Sequence, residues 1–230
     1  MAWIEDAKRK AVLKAIQQIR SGWVIGLGSG STTSYAVAEI ARLAKMMSYD
    51  LSVVPTSHQM ENLAVAHGLR IRTMNEVYSV DYAIDGADQV ETRSLNIVKG
   101  GGGAMLREKI VDSTARRLTI VVDERKLTKH LGDRQTIPLE VLPFAYKSLQ
   151  VGITNMGGRA RLRESTDKVG PVITDNGNFI LDADFGRIAH PAQLNRRLKM
   201  LPGVLETGLF LNIVDSVYVG RKDGKVEILQ

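Results

Sequence analysis

Cysteine is absent from this 230-residue chain. Its absence excludes a disulfide framework, thiolate metal sites and a cysteine nucleophile, and leaves the compartment open. Histidine occurs only as His58, His67, His130 and His190, with no H-E-x-x-H pair and no metal-ligand spacing. No G-x-S-x-G turn that would present a nucleophilic serine is found. Aromatic residues make up 5% of the chain, too few to interleave basic residues as single-stranded nucleic-acid surfaces do. The densest basic groupings, Arg159/Arg161/Arg163 and Arg196/Arg197/Lys199, carry no aromatic between them and read as a solvated basic face. No apolar run approaches the roughly 18–20 residues of a bilayer span. The early charges Glu5, Asp6, Lys8, Arg9 and Lys10 stand where a signal peptide needs an apolar run. The expectation is a cytoplasmic protein with neither a membrane nor a nucleic-acid partner.

What is present is an ordinary globular composition, 44% hydrophobic and 24% charged, with a net charge of +6. Such a chain can bury a full core in one large domain or two smaller ones. A mildly positive surface also draws small anionic metabolites. The first half alternates short apolar strands with amphipathic helices. Strands are expected at Trp23–Leu27, Leu51–Val54, Ile71–Met74, Tyr82–Ile84, Leu95–Val98 and Leu118–Val122. Helices are expected around Ala11–Ile19, Val37–Ala44, Gln59–His67 and Ala104–Arg116. That alternation implies an α/β fold with a parallel sheet covered on both faces. After about Lys129 the order becomes strand Ile137–Val141, helix Ala145–Met156 and strand Arg159–Arg163. A hairpin-like pair follows, Val172–Thr174 and Phe179–Asp182 around Asn176-Gly177, then a helix near Ala192–Leu201 and a strand near Val204–Phe210. This is the order of a split β-α-β-β-α-β unit. The tail, Val217–Val219 and Val226–Leu229, is expected to return to the first sheet.

Four polar clusters each follow an apolar strand. The first is Gly26-Leu27-Gly28-Ser29-Gly30-Ser31-Thr32-Thr33, ahead of a helix, where glycines admit an anion and the helix start offers unpaired N–H groups. Ser31 stands where a Walker A loop needs lysine, and no carboxylate ends the second strand as dinucleotide binding requires. A small phosphate ester fits better, although a glycine turn filling a tight corner explains the loop as well. The second is Asp85-Gly86-Ala87-Asp88, whose two carboxylates can converge on a polyol, or form an Asp-rich turn capping a helix. The third is Lys99-Gly100-Gly101-Gly102-Gly103, a glycine run that is costly unless the backbone curls around something. Glu108 follows about one turn later, where it points back toward that ligand or merely joins a solvated charge triplet. The fourth is Asp123-Glu124-Arg125-Lys126, with Lys126 a further cation. All four are expected on one sheet edge, and that coincidence carries the functional case. Carboxylates and lysines acting on a phosphorylated, hydroxyl-rich substrate suit one reaction: proton abstraction beside a carbonyl, with the enediolate stabilised by lysine and backbone N–H groups.

The segments GLGSGSTTS (26–34), IDGAD (84–88), KGGGGA (99–104), REK (107–109), PVITDNGN (171–178) and LPGVLETGLF (201–210) resemble type A ribose-5-phosphate isomerases. The likeness runs from about Lys8 to the C-terminal hairpin. It implies interconversion of ribose 5-phosphate and ribulose 5-phosphate in the pentose phosphate pathway, with no metal or organic cofactor and a homodimer or homotetramer as the assembly. It also implies a Rossmann-like domain, here 1–130 plus 208–230, interrupted by a small α+β, ferredoxin-like domain over 131–207. By resemblance Glu108 is the catalytic base, and Asp85 and Asp88 handle the sugar hydroxyls and ring opening. Lys99 with Gly100, Gly101 and Gly102 steadies the oxyanion. Ser29, Gly30, Ser31 and Thr32, together with Gly86 and Ala87, line the substrate, and Lys126 and Lys8 stand near its phosphate. Two residues depart from the family pattern: Ser29 stands for its usual Thr, and Gln89 for its usual Glu, a position with an expected place at a subunit contact. Amino-sugar phosphate deaminases and phosphogluconolactonases share the glycine-loop sheet. The deaminases want a histidine for ring opening, and only His58 lies near the clusters. Sugar-sensing regulators need an attached helix-turn-helix, for which a first strand at Trp23 leaves no room.

Overall fold

The computed structural model describes residues 2–166 and 169–230. In chain order the first elements are α1 (Ala2–Ala15), β1 (Val24–Leu27), α2 (Ser31–Met47), β2 (Ser52–Pro55), α3 (His58–Ala66), β3 (Arg70–Ile71) and β4 (Tyr82–Asp85). Next come β5 (Gln89–Glu91), β6 (Ile97–Val98), α4 (Met105–Thr114), β7 (Leu118–Asp123) and β8 (Leu127–Thr128). The remainder is β9 (Ile137–Val141), α5 (Tyr146–Asn155), β10 (Arg159–Leu162), β11 (Phe179–Asp184), α6 (Pro191–Lys199), β12 (Val204–Thr207), β13 (Leu209–Phe210), β14 (Ser216–Gly220) and β15 (Val226–Leu229). These elements form two compact units. One takes the chain up to Ala87, then Arg107–Leu127 and Ile213–Gln230; the other takes Asp88–Leu106 and Thr128–Asn212.

The first unit is built on a seven-stranded sheet in the order β15-β14-β7-β4-β1-β2-β3, parallel except for β15. Alternation along the strands divides its two faces. Ile25, Leu27, Val53, Tyr82, Ile84 and Val121 pack with Val12, Val37, Ile40 and Met60 from the first three helices. Gly26 turns to the other face, where a Cβ would stand 2.6 Å from Val111 of α4. All six residues of β7 are buried, as a central parallel strand requires. The tail does return: β14 pairs with β7, and its Ser216 hydroxyl meets that of Thr119 at 2.9 Å. The first helix starts well before the expected Ala11, because Ala7 also belongs to its buried face.

The second unit carries an antiparallel sheet in the order β10-β11-β9-β12. One face of it packs Ile137, Leu139, Val141, Leu181 and Ala183 against Leu149 and Ile153 of α5 and Leu198 of α6. Three corrections to the sequence reading arise in this unit. The expected strand Val172–Thr174 contributes only an isolated bridge between Ile173 and Phe179. Its hairpin turn is drawn inward instead: Thr174, Asn176 and Asn178 all donate to Oε1 of the buried Glu140, at 2.8–3.0 Å. The strand expected over Val204–Phe210 divides into β12 and β13, which join different sheets. Finally β6, with β5, β8 and β13, forms a small sheet of its own. The segment 88–106, expected with the larger domain, therefore groups with the second unit. Among the described residues no helix is long and apolar enough to cross a membrane.

Candidate active site

Because β1, β4 and β7 are parallel neighbours, the turns after them lie on one sheet edge. Three of the four expected clusters meet this condition. The remaining one, the Lys99 cluster, follows β6 and so hangs from the second unit's small sheet. The expectation of a single shared sheet edge is corrected accordingly.

In the first unit the chain leaves β1 through Gly28, whose N–H donates to the Ile84 carbonyl at 3.0 Å. A Cβ here would fall 1.8 Å from Oδ1 of Asp85, so only glycine lets the two turns approach. Asp85 is fully buried, and its Oδ1 accepts the Gly86 N–H at 2.6 Å; Gly86 and Ala87 are half-buried. The Ser29 hydroxyl stands 2.9 Å from the Thr56 hydroxyl and donates to Ser57 Oγ at 2.7 Å. Thr56 is itself tied to the Leu27 carbonyl. The Ser29 N–H donates to Oε1 of Glu108 at 3.3 Å. Glu108 is 3% exposed in the first turn of α4, so a nearly dry carboxylate is aimed at the loop.

Gly30, at φ +123°, precedes α2, which opens with Ser31 and Thr32. The first amides of a helix lack intrahelical acceptors and sit at its positive end, which suits an anion. Lys8 reaches this point from α1, its Nζ donating to Ser31 Oγ at 3.1 Å. Glu5 holds Lys8 at 3.1 Å and accepts the Tyr35 hydroxyl at 2.7 Å. The Tyr35 hydrogen bond and then the Lys8 ammonium keep the Glu5 carboxyl below its ordinary range. After β7, Asp123 is buried and takes Arg125 through both oxygens, at 2.7 and 3.1 Å, while Arg125 lies over the Trp3 ring. Lys126 follows, half-buried.

In the second unit Lys99 is 3% exposed, with Nζ 5.6 Å from the centre of the Phe210 ring. Its backbone N–H donates to the Gly208 carbonyl at 2.9 Å. The glycine run then turns sharply, Gly100 at φ +109° and Gly103 closing back on the Gly100 carbonyl at 3.1 Å. Gly101 and Gly102 are exposed, and the Gly101 N–H donates to Asp88 Oδ2 at 2.7 Å. The family-pattern departure at Gln89 has a local use. Its amide donates to the Asp133 carbonyl at 2.5 Å and accepts the Gly132 N–H at 2.9 Å, two tasks a carboxylate cannot share.

Sequence reasoning missed Arg163, which it left on a solvated face. Its side chain is 18% exposed, pairs with Asp182 through both oxygens and donates to the Gly100 and Gly101 carbonyls. It also missed Thr56 and Ser57, for which the only signal was hydroxyls following the second apolar strand. Among the described residues no group of three or more His, Asp or Glu is placed to hold a metal ion. The arrangement can anchor an anion at the start of α2 and present a buried carboxylate beside it.

The sequence matches the family model of ribose 5-phosphate isomerase A (phosphoriboisomerase A) over residues 52–224. The ribose-5-phosphate isomerase A of Methanosarcina acetivorans is 45% identical over 222 residues, 96% of this chain and 93% of that one. The ribose-5-phosphate isomerase of Homo sapiens is 42% identical over 99% of this chain and 74% of its own. The solved ribose 5-phosphate isomerase A of Methanocaldococcus jannaschii superposes with a TM-score of 0.94 at 41% identity, covering 98% of this chain and 99% of that one. A D-ribose-5-phosphate isomerase solved in complex with phospho-erythronic acid gives 0.95 at 41% identity, covering 99% of each chain.

Proposed function

The chain belongs to the ribose 5-phosphate isomerase A family, and from that membership we propose how its own residues carry the reaction. It is an aldose–ketose isomerase, interconverting ribose 5-phosphate and ribulose 5-phosphate. The phosphate docks at the start of α2, on Ser29, Gly30, Ser31 and Thr32, with Lys8 and Lys126 supplying positive charge. Glu108 removes the C2 proton of the open-chain aldose, and the electron pair moves onto the C1 carbonyl oxygen to give an enediolate. Proton exchange between O2 and O1, then return of the carbon-bound proton from Glu108 to C1, completes the ketose. Asp85 and Asp88 hold the sugar hydroxyls and assist ring opening. Lys99 and the glycine run Gly100, Gly101 and Gly102, whose Gly101 N–H is given to Asp88, stabilise the oxyanion.

The observation that carries this reading is Glu108: buried, in the first turn of α4, and hydrogen-bonded to the backbone of the anion loop. A carboxylate kept from water beside an anchored substrate is placed for carbon acid chemistry. We also read the first sheet as Rossmann-like, supported by its parallel core. The second unit is read as ferredoxin-like, supported by β-α-β-β-α-β order and the antiparallel sheet β10-β11-β9-β12.

The deciding experiment is NMR of the purified protein with ribose 5-phosphate in D₂O containing excess chelator. Appearance of ribulose 5-phosphate carrying deuterium at C1 is the expected result. A shielded Glu108 proton lowers the deuterium content without abolishing ketose. No ketose at all would sink the isomerase reading.

A further inference from the structure

We propose that Arg163, held by Asp182, is a positioning residue of the isomerisation site, acting through two peptide groups of the glycine run on Asp88 and on the Gly102 N–H. The proposal rests on the isomerase reading and adds a residue to it. Arg163 is just past the end of β10, and its guanidinium divides its donors between two tasks. Nε and Nη2 bind Oδ2 and Oδ1 of Asp182 at 2.8 and 2.5 Å, a two-pronged pairing that fixes the plane of the group. Nη1 is thereby aimed at the glycine run, where it donates to the Gly100 carbonyl at 2.8 Å and to the Gly101 carbonyl at 3.0 Å.

What this does to the site follows from peptide geometry. In a planar trans peptide the carbonyl and the N–H of the next residue point in opposite directions. The Gly100 carbonyl shares its plane with the Gly101 N–H, and the Gly101 carbonyl shares its plane with the Gly102 N–H. Two carbonyls converging on one Nη1 therefore turn both N–H groups away from Arg163. The first is seen in use, donating to Asp88 Oδ2 at 2.7 Å. The second belongs to Gly102, in an exposed part of the loop. A positive charge on the carbonyl side also polarises each peptide and strengthens its N–H as a donor.

Glycine has no side chain with which to hold its own backbone angles. The first of these residues is confined by its neighbours, since a Cβ at Gly100 would stand 2.9 Å from Met105 Cε and 3.0 Å from Pro138 Cβ. Nothing stands within 4 Å of a Cβ at Gly102. The orientation of that part of the run is set by hydrogen bonds, and Arg163 supplies two of them. Lysine cannot replace it. A single ammonium has no planar fork with which to grip a carboxylate and two carbonyls at once.

The test compares Arg163→Ala, Arg163→Lys and Asp182→Asn with the parent protein. The readouts are kcat and KM for ribose 5-phosphate, Tm, and amide hydrogen exchange at Gly101. For Arg163→Ala we expect kcat to fall roughly 100-fold, the loss typical of a misplacement near 1 Å, with KM changed less than about threefold. Arg163→Lys should stay impaired, and millimolar methylguanidinium should restore Arg163→Ala by about tenfold or more while leaving the parent unaffected. Gly101 exchange should quicken in Arg163→Ala whether or not the parent turns over ribose 5-phosphate. Should Arg163→Ala fail to fold, Arg163→Lys and Asp182→Asn must show the same kcat loss and faster exchange at near-parent Tm. Parent-like kcat and Gly101 exchange in a folded variant would overturn the proposal. An inactive parent would instead overturn the isomerase reading, with the exchange result still deciding the clamp.

Discussion

A single added methyl group, Gly28→Ala, tests whether Asp85 must sit where it does. The new Cβ would lie 1.8 Å from Oδ1, 1.9 Å from Cγ and 2.5 Å from Cβ of Asp85. Ordinary contact begins near 3.4 Å, so the carboxylate must retreat by about 1.6 Å, the difference between 3.4 and 1.8 Å. The backbone of Gly28 is not in the left-handed region, so the whole effect passes through that contact. Crowding of this kind costs about 1–3 kcal/mol, which lowers Tm by roughly 2–12 °C for a chain of this size. A displacement beyond 1 Å at a group that works on the substrate costs about 100-fold in kcat, equal to about 2.7 kcal/mol of barrier. Steady-state kinetics with ribose 5-phosphate and a thermal melt measure both quantities. Replacing Asp85 by Gly in the Gly28→Ala background removes all three clashing atoms and should recover most of the Tm without recovering activity. Parent-like kcat in Gly28→Ala would refute the reasoning that a fixed Asp85 serves the reaction.

Two further outcomes follow from other residues of the same unit. Glu108→Gln keeps an oxygen to accept the Ser29 N–H, so the loop and the KM for ribose 5-phosphate should persist while kcat falls about 10²- to 10⁴-fold; an unchanged kcat would remove Glu108 from the mechanism. Burial alone would raise the Asp123 carboxyl, but hydrogen bonds from the Arg125 side chain and backbone outweigh it and hold the group below the carboxylate range. A depressed folded pKa stabilises above the unfolded value, near 3.9, and that contribution is lost as pH falls through the folded pKa. Tm should therefore begin to drop as pH falls below about 5 and go on dropping through the folded pKa, and Asp123→Asn should flatten that stretch of the profile; equal slopes in both proteins would clear Asp123 of any part in acid unfolding.

Much of the first unit was legible because burial on both faces writes itself into composition. Leu118–Val122 and Trp23–Leu27 are dominated by apolar residues, interrupted only by Thr119 and Gly26, as a parallel strand covered by helices requires. The polar turns after them were legible for the complementary reason, since glycines and carboxylates are conspicuous next to such runs. The strands β5, β6, β8 and β13 carry two or three residues each, too few for any period to register. Misplacing Leu95–Val98 in the main sheet sent the Lys99 cluster to the wrong edge. Arg163 was illegible for another reason. Spaced two apart with Arg159 and Arg161, it looked like one more member of an exposed row. Its partners are Asp182, nineteen positions on, and Gly100, sixty-three positions back. No local pattern encodes such pairings, which exist only once the antiparallel register of β10 and β11 is set. The turn at 171–178 misled in a similar way, because its Asn-Gly signal is real while its side chains are recruited by Glu140.

The place of β14 in the first sheet has a consequence for how this chain is made. Its Ser216 meets Thr119 of β7 across 97 positions of sequence, with most of the second unit threaded between them. During synthesis at about 5–20 residues per second, β7 would wait roughly 5–20 s before its neighbour is made. For that interval a mostly apolar strand presents an unsatisfied ladder of N–H and C=O groups on that flank, the situation in which nascent chains stick to one another. Late closure of a long-range pairing also slows folding after release. Lower temperature or added chaperones during expression would act on this edge, the β7 flank that stays open until β14 is made.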